Sequence, residues 1–291
     1  MSDKKTVLKN FFLAATLGTL IFSPGLLFAQ THQPEGSGLA SNKPEGDGGQ
    51  PNSRSHSQSQ KEADKLSENL HWLGHSSFRF DGSKIIYFDP WKLPKNSKKA
   101  DLIFISHEHF DHFSPEDVSA ISSSETVIIT DKAVSQWFGL QYSQGHKNVS
   151  RQLQGKVNCK EVKGLSPGET VEVSQVKVQA VASYNIGKEF HTKDSRKLGF
   201  IVTIDGITIY HAGDTDNIPQ MKDYRCDLAL LPVSGTYVMT AEEAAEAALA
   251  IKPRIAVPMH YGDIVGSPAD AQRFKELLKG KIEVRILKQE R

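Results

Sequence analysis

Short apolar or alternating runs recur along this chain, bounded by Gly, Asp, Ser and Pro, and read as strands. A first set falls at residues 71–73, 77–80, 85–88, 102–105 and 126–130. A second falls at 169–173, 176–182, 199–204, 207–210, 228–231, 255–257 and 282–286. Apolar residues at helical spacing follow the later strands of each set, in a short helix starting near Ser114 and in helices at 132–138, 240–251 and 268–278. Ser114 is placed to cap its helix with Pro115 in the first turn. Thr240 with Glu243 three positions on makes a capping box. Asp81-Gly82 and Asp205-Gly206 each read as a hairpin turn.

Both halves therefore run from closely spaced strands to strand–helix alternation. That pattern suits an α/β fold of two sheets packed face to face with helices outside, a four-layer αββα sandwich.

The first 66 residues follow a different pattern. Lys4, Lys5 and Lys9 precede an apolar stretch from Phe11 to Phe28 that ends beside Ala29. A basic start, apolar middle and small residue at the end describe a signal peptide over residues 1–29. An uncleaved membrane anchor is the alternative. Residues 30–66 are rich in Gly, Ser, Gln, Pro, Lys and Glu and cannot bury enough apolar surface to order themselves, so they read as a disordered linker. The folded domain is then 67–291. Export would make the protein periplasmic or secreted, touching a membrane only through this leader. In an oxidising compartment Cys159 and Cys226 could pair once, but nothing in their spacing demands it; the plainer reading leaves them unpaired in or beside strands, and they are too few to build a structural cysteine–zinc site.

Charge is balanced, with 35 Lys and Arg against 34 Asp and Glu and a net charge of +1. A nucleic-acid partner usually demands a basic excess, so none is expected.

The chemistry concentrates at strand ends. After the apolar run 102–105 comes Ser106-His107-Glu108-His109-Phe110-Asp111-His112. His107 and His109, two apart beside a strand end, point to the same side. Asp111 and His112 lie past the next bend and can approach from another direction. Imidazole with carboxylate suits zinc or a similar divalent metal, and the number of donors is enough for two ions. A second group, His211-Ala212-Gly213-Asp214-Thr215-Asp216, follows the run 207–210. Asp214 could bridge two cations through its two oxygens; alone, it would read more naturally as a turn or helix cap. A third, Met259-His260-Tyr261-Gly262, follows 255–257. A lone strand-end histidine is more often structural, but three such ends converging on one edge would build a single metal pocket. His71 and His146 read as structural.

In this order the motifs resemble the metallo-β-lactamase superfamily, over essentially the whole folded region. The words Trp72-Leu73-Gly74-His75-Ser76-Ser77-Phe78, Asp89-Pro90, His211-Ala212-Gly213-Asp214-Thr215 and Met259-His260-Tyr261-Gly262 resemble most the branch containing L-ascorbate-6-phosphate lactonase and N-acyl phosphatidylethanolamine phospholipase D. The resemblance implies that His107 and His109 hold one zinc, that Asp111, His112 and His260 hold the other, and that Asp214 bridges them. It also implies a further first-site histidine after the strand at 176–182. Here that strand runs into Ser183-Tyr184-Asn185, and Asn185 is a poor zinc ligand. Either the first site is weakened, or His191 reaches in to complete it, or the site takes another metal such as manganese. His75 and His211 are candidates to orient ligands or touch substrate. Tyr184, Tyr237 and Tyr261 are candidates to stabilise a developing oxyanion.

The expectation is a metal-dependent hydrolase with two divalent cations, zinc before manganese. A shared activated water would attack a small lactone, ester or phosphodiester, with Asp111 also accepting a hydrogen bond from the nucleophile. The competing reading is a metal- or ligand-binding protein of the same fold with reduced catalysis, which the Asn185 position favours.

Overall fold

The computed structural model describes residues 64–140 and 157–290. The expected signal peptide, nearly all of the expected linker and His146 lie outside the described residues.

The first sheet holds β1 (Leu70–Gly74), β2 (Ser77–Asp81), β3 (Ile85–Phe88), β4 (Leu102–Ile105), β5 (Val127–Asp131) and β6 (Glu161–Leu165), hydrogen-bonded in that order. The second holds β7 (Thr170–Val173), β8 (Val176–Ala182), β9 (Leu198–Ile204), β10 (Ile207–His211), β11 (Leu228–Pro232), β12 (Ile255–Met259) and β13 (Glu283–Val284), also in chain order. Each sheet opens as an antiparallel meander and continues with parallel strands. Parallel neighbours need a crossover. Helices α1 (Pro115–Ile121) and α2 (Lys132–Leu140) lie in the crossovers after β4 and β5, and α3 (Ala241–Ile251) and α4 (Pro268–Leu278) in those after β11 and β12. The chain crosses from β3 to β4 without a helix and from β10 to β11 through a short 3-10 segment, Pro219–Asp223.

The layers follow from the two-residue period of a strand. Ile86, Phe88, Leu102, Phe104, Val127 and Ile129 face the core shared with the second sheet. The intervening Tyr87, Ile103, Ile105 and Ile128 face a separate core with Val118, Ile121, Val134 and Phe138 of α1 and α2. Phe104 meets Phe200 of β9 with ring centroids 5.2 Å apart, joining the sheets face to face. This is the four-layer sandwich that the apolar pattern implies.

Local signals act as expected. Ser114 accepts from Asp117 N at the start of α1, and the Thr240–Glu243 capping box is complete at the start of α3. Asp205 and Gly206 both have positive φ, 52° and 76°, the geometry of a two-residue hairpin turn of the mirror-image type. Three features differ from the sequence reading. β6 was not expected, because this edge strand exposes Glu161 and carries no apolar run. β13 pairs with β12 through only two residues, Glu283 and Val284, and the chain then leaves Ile286 exposed. β7 begins at Thr170, one residue later than the pattern implies. Cys159 packs beside the helix-side core and Cys226 beside the inter-sheet core, and both are free thiols.

Replacing Phe200 by Ala removes one fully buried ring from the core between the sheets, and the expected loss is about 3–5 kcal/mol of unfolding free energy. Urea titration of the metal-loaded protein measures it; a loss under 1 kcal/mol would mean that the sheets are held elsewhere.

Candidate metal centre

Every donor sits just beyond the C-terminal end of a strand or in the loop that follows it. β4 delivers His107, His109, Asp111 and His112; β10 delivers Asp214; β12 delivers His260. The tight turn between β1 and β2 carries His75, and the loop after β8 carries His191. Because β3 and β4 run parallel, as do β10, β11 and β12, these ends collect at one edge of each sheet. Backbone bonds stitch the two edges together: Leu198 N donates to Ser106 O at 3.2 Å and His260 N to His75 O at 3.0 Å. Gly213 lies in this seam with φ at 63°. A Cβ there would come within 2.6 Å of Leu198 O, so glycine is required on both counts.

Two groups of donors result. His107, His109, His191 and Asp214 form one; His75, Asp111, His112 and His260 form the other, and within each group the donor atoms lie within 4.8 Å of one another. In the first, His107 Nε2 and His191 Nε2 approach His109 Nδ1 at 3.1 and 3.0 Å. Asp214 lies between the groups. Its Oδ2 is 3.9 Å from His107 Nε2 and 3.7 Å from His191 Nε2, while its Oδ1 is 3.1 Å from His112 Nε2 and 3.2 Å from His260 Nε2.

The donor set fits divalent metal ions. Asp214 Oδ1 and His112 Nε2 are buried without a hydrogen-bond partner. Buried polar atoms are rarely left so, and each costs stability unless something charged satisfies it. The nitrogens and oxygens crowd shared points instead of pairing off, which is how ligands of a cation are disposed.

Electrostatics are consistent with that. Burial is the largest influence on His107, His109 and His191 and lowers all three, His107 farthest, so their lone pairs are available. Burial likewise brings His75 down to about 4. Burial alone would raise the Asp214 carboxyl, but the His112 and His260 imidazoles overcome it and hold the group well below the usual range. Asp111 reaches about 2 against burial through its hydrogen bond from His75 and the nearby His112. Burial disfavours the charged His112, yet Asp214 and Asp89 prevail and raise it.

The candidate residues separate by position. His75 Nε2 bonds Asp111 Oδ2 at 3.0 Å and stands inside the second group. Asn185 is not among the donors, and His191 is. Asn185 N donates to His191 O at 2.7 Å, and its side-chain amide donates to Phe190 O at 3.0 Å and Tyr237 O at 2.6 Å. Asn185 thus closes the loop that carries His191 inward. Asp216 holds the same loop through Ile186 N at 2.8 Å and Lys188 Nζ at 2.5 Å. His211 stands behind the site, its Nε2 on Ser76 O at 2.9 Å and its ring stacked on Phe88. Tyr184 Oη donates to Gln220 at 3.1 Å, and the buried Tyr261 ring stacks on Trp72. Of the three tyrosines, Tyr237 lines the cavity above the donors. His71 pairs with Glu290 and Asp81, away from the site.

Sequence reasoning missed the residues that hold the ligands. Asp89 accepts from His112 Nδ1, Ser106 N and Ser106 Oγ, each at 2.7 Å. Ser106 Oγ is also 2.9 Å from His107 Nδ1, and Ser234 Oγ is 3.1 Å from His260 Nδ1. The buried Lys197 pairs with Glu108 next to His109. The signal for Asp89 was Asp89-Pro90 directly after a buried strand; Ser234 had none.

Paired imidazole–carboxylate clusters at one edge of an αββα sandwich define a metal-binding enzyme class, and comparison with known proteins agrees. The family model described as "Beta-lactamase superfamily domain" matches residues 69–260. UPF0173 metal-dependent hydrolases of Pyrococcus abyssi and Pyrococcus horikoshii are 32% and 33% identical over 231 residues, covering 75% of this chain and 95% of theirs. A crystal structure of a Parabacteroides distasonis protein is 33% identical with a TM-score of 0.62, covering 76% of this chain and 93% of that one. Igni18, a metallo hydrolase of Ignicoccus hospitalis, shares the fold at 22% identity and a TM-score of 0.60, covering 76% of this chain and 95% of its own. The chain belongs to the metallo-β-lactamase superfamily and, within it, to the UPF0173 metal-dependent hydrolases.

Asp89 takes Ser106 N on Oδ1 and both Ser106 Oγ and His112 Nδ1 on Oδ2, so Asp89→Asn would turn one of these acceptors into an NH2 facing an existing donor. The expected result is a 10- to 100-fold weaker metal affinity, about the cost of losing a group that orients a ligand. Competition with a chromophoric chelator measures it, and unchanged affinity would remove Asp89 from the site.

Proposed function

We propose that the protein is a dinuclear metallo-hydrolase acting on a small ester, lactone or phosphodiester. The observation that carries this is the position of Asp214, with one oxygen towards each donor group. His107, His109 and His191 would hold the first ion, Asp111, His112 and His260 the second, and Asp214 would bridge them. Nitrogen and oxygen donors without sulfur suit zinc first and manganese second.

Two bound divalent cations lower the pKa of water towards neutrality and polarise the bond to be broken. The chain's own groups supply the rest. Asp111, oriented by His75 Nε2, faces the cavity and accepts a hydrogen bond from the incoming water. Tyr237, the tyrosine that lines the cavity wall, would be the hydroxyl to donate to the oxygen that gains charge. Ser106, Asp89 and Ser234 keep the His107, His112 and His260 rings in register by hydrogen bonds to their outer nitrogens. Asn185 favoured a binding protein with reduced catalysis; with His191 among the first donors, that support falls away. The basic, apolar leader supports an exported, periplasmic or secreted location.

Metal analysis tests the proposal. The expected content is two equivalents per chain, falling to one in His191→Ala and below one in Asp214→Ala. Hydrolysis of model esters and phosphodiesters should fall by more than about 100-fold in both, beyond what loss of an orienting neighbour costs. Full turnover by a metal-stripped protein, or a content of one in the parent, would refute the two-ion reading.

A further inference from the structure

Exposed large hydrophobic side chains on this molecule are concentrated at the metal centre. Among the described residues, seven are exposed; four of them, Phe110 (67%), Phe190 (46%), Tyr237 (49%) and Ile264 (45%), line the cavity that also contains His109, Asp111, His191, Asp214 and His260. They come from four separate loops, after β4, β8, β11 and β12. Phe190 and Tyr237 meet edge to face with centroids 5.1 Å apart, and Phe110 leans on Trp91 at 6.1 Å. Scattered exposed apolar residues need no explanation, but four from four loops around one opening do.

The wall is as informative for what it omits. Among the described residues, no lysine or arginine lines this cavity of about 220 Å³. Lys188 bonds Asp216 and Val238 O and Lys197 bonds Glu108, while Lys92 lies 3.8 Å from Asp263 and Lys193 sits over the Tyr184 ring. A sugar phosphate or polyanion would meet no lysine or arginine on the wall among the described residues. The His and Asp side chains form the floor, and the rim is apolar apart from the Tyr237 hydroxyl. Pockets of this kind place a few polar groups at the reacting end and bury the remainder by apolar contact.

We infer that the substrate is a carboxylic ester or lactone whose acyl part carries an extended alkyl or aryl group, seated against Phe110, Phe190, Tyr237 and Ile264 while the carbonyl reaches the floor. This rests on the hydrolase reading above and narrows it. In the reaction the oxygen of water bonds to the acyl carbon and the acyl–oxygen bond breaks. The leaving alcohol takes the bonding pair and a proton.

The test uses the metal-loaded protein and p-nitrophenyl esters from acetate to octanoate. Each buried methylene favours binding, so kcat/KM should rise by roughly two- to fourfold per carbon along the series. In the Phe110→Ala/Ile264→Ser double variant the octanoate-to-acetate ratio should fall at least tenfold. Leu249→Ser, altering an exposed apolar residue on α3, should keep the parent ratio. Calorimetry with the product carboxylates gives a second readout: octanoate should bind tighter than acetate with a negative heat-capacity change that the double variant loses. Cleavage with no dependence on chain length overturns the inference and leaves the hydrolase reading standing. Collar-dependent octanoate binding without cleavage of any ester supports the apolar seat and sinks the ester reaction. Equal binding of the two carboxylates, or rim-dependent binding to phosphatidylcholine vesicles with no discrimination among esters, overturns the inference.

Discussion

A buried carboxylate with histidines facing both of its oxygens sets the terms for the surrounding structure. Asp214 is excluded from water, and its Oδ1 has no hydrogen-bond partner. Burying an unpaired charge costs more than most single contacts return. The fold accepts that cost by bringing imidazoles from β4, β12 and the loop after β8 to within 4 Å of this one side chain. The seam between the two sheets is therefore held by charge as well as by packing. Ordering of the donors and docking of the sheet edges are parts of one process.

The backbone carries the strain of that arrangement. His75, Asp89, His191 and His260 all adopt positive φ, between 42° and 60°. His and Asp visit this region more readily than branched residues, yet four at one site is unusual. His75, Asp89 and His260 turn the chain directly after a strand, and His191 does so within the loop that follows β8. Of the eleven non-glycine residues with positive φ among the described residues, these four belong to the metal centre.

Much of this was legible beforehand. The run 102–105 ends abruptly in histidines because β4 is buried on both faces up to its last residue, and polar side chains appear only where the cavity begins. The caps of α1 and α3 act over three residues and are equally readable. The first group was ambiguous for a physical reason. Which of Asn185 and His191 faces the donors depends on a loop closed by Tyr237 O, fifty-two positions from Asn185 in sequence. No local pattern encodes that contact. Ser234 was hidden in the same way, and Asp89-Pro90 stood out as a word without its role, since each acts on a histidine more than twenty residues distant. β6 escaped because an edge strand needs no continuous apolar face.

The adjacency of Phe110 to His109 and of Phe190 to His191 has an evolutionary consequence. In those two loops a ring at the mouth and a ligand at the floor share a peptide bond, so a change of loop length that reshapes one displaces the other. Tyr237 has no donor beside it in sequence, and Ile264 stands four residues past His260. Divergence among relatives should then be lopsided: insertions and side-chain turnover accumulate after β11 and β12, while the other two loops keep their length.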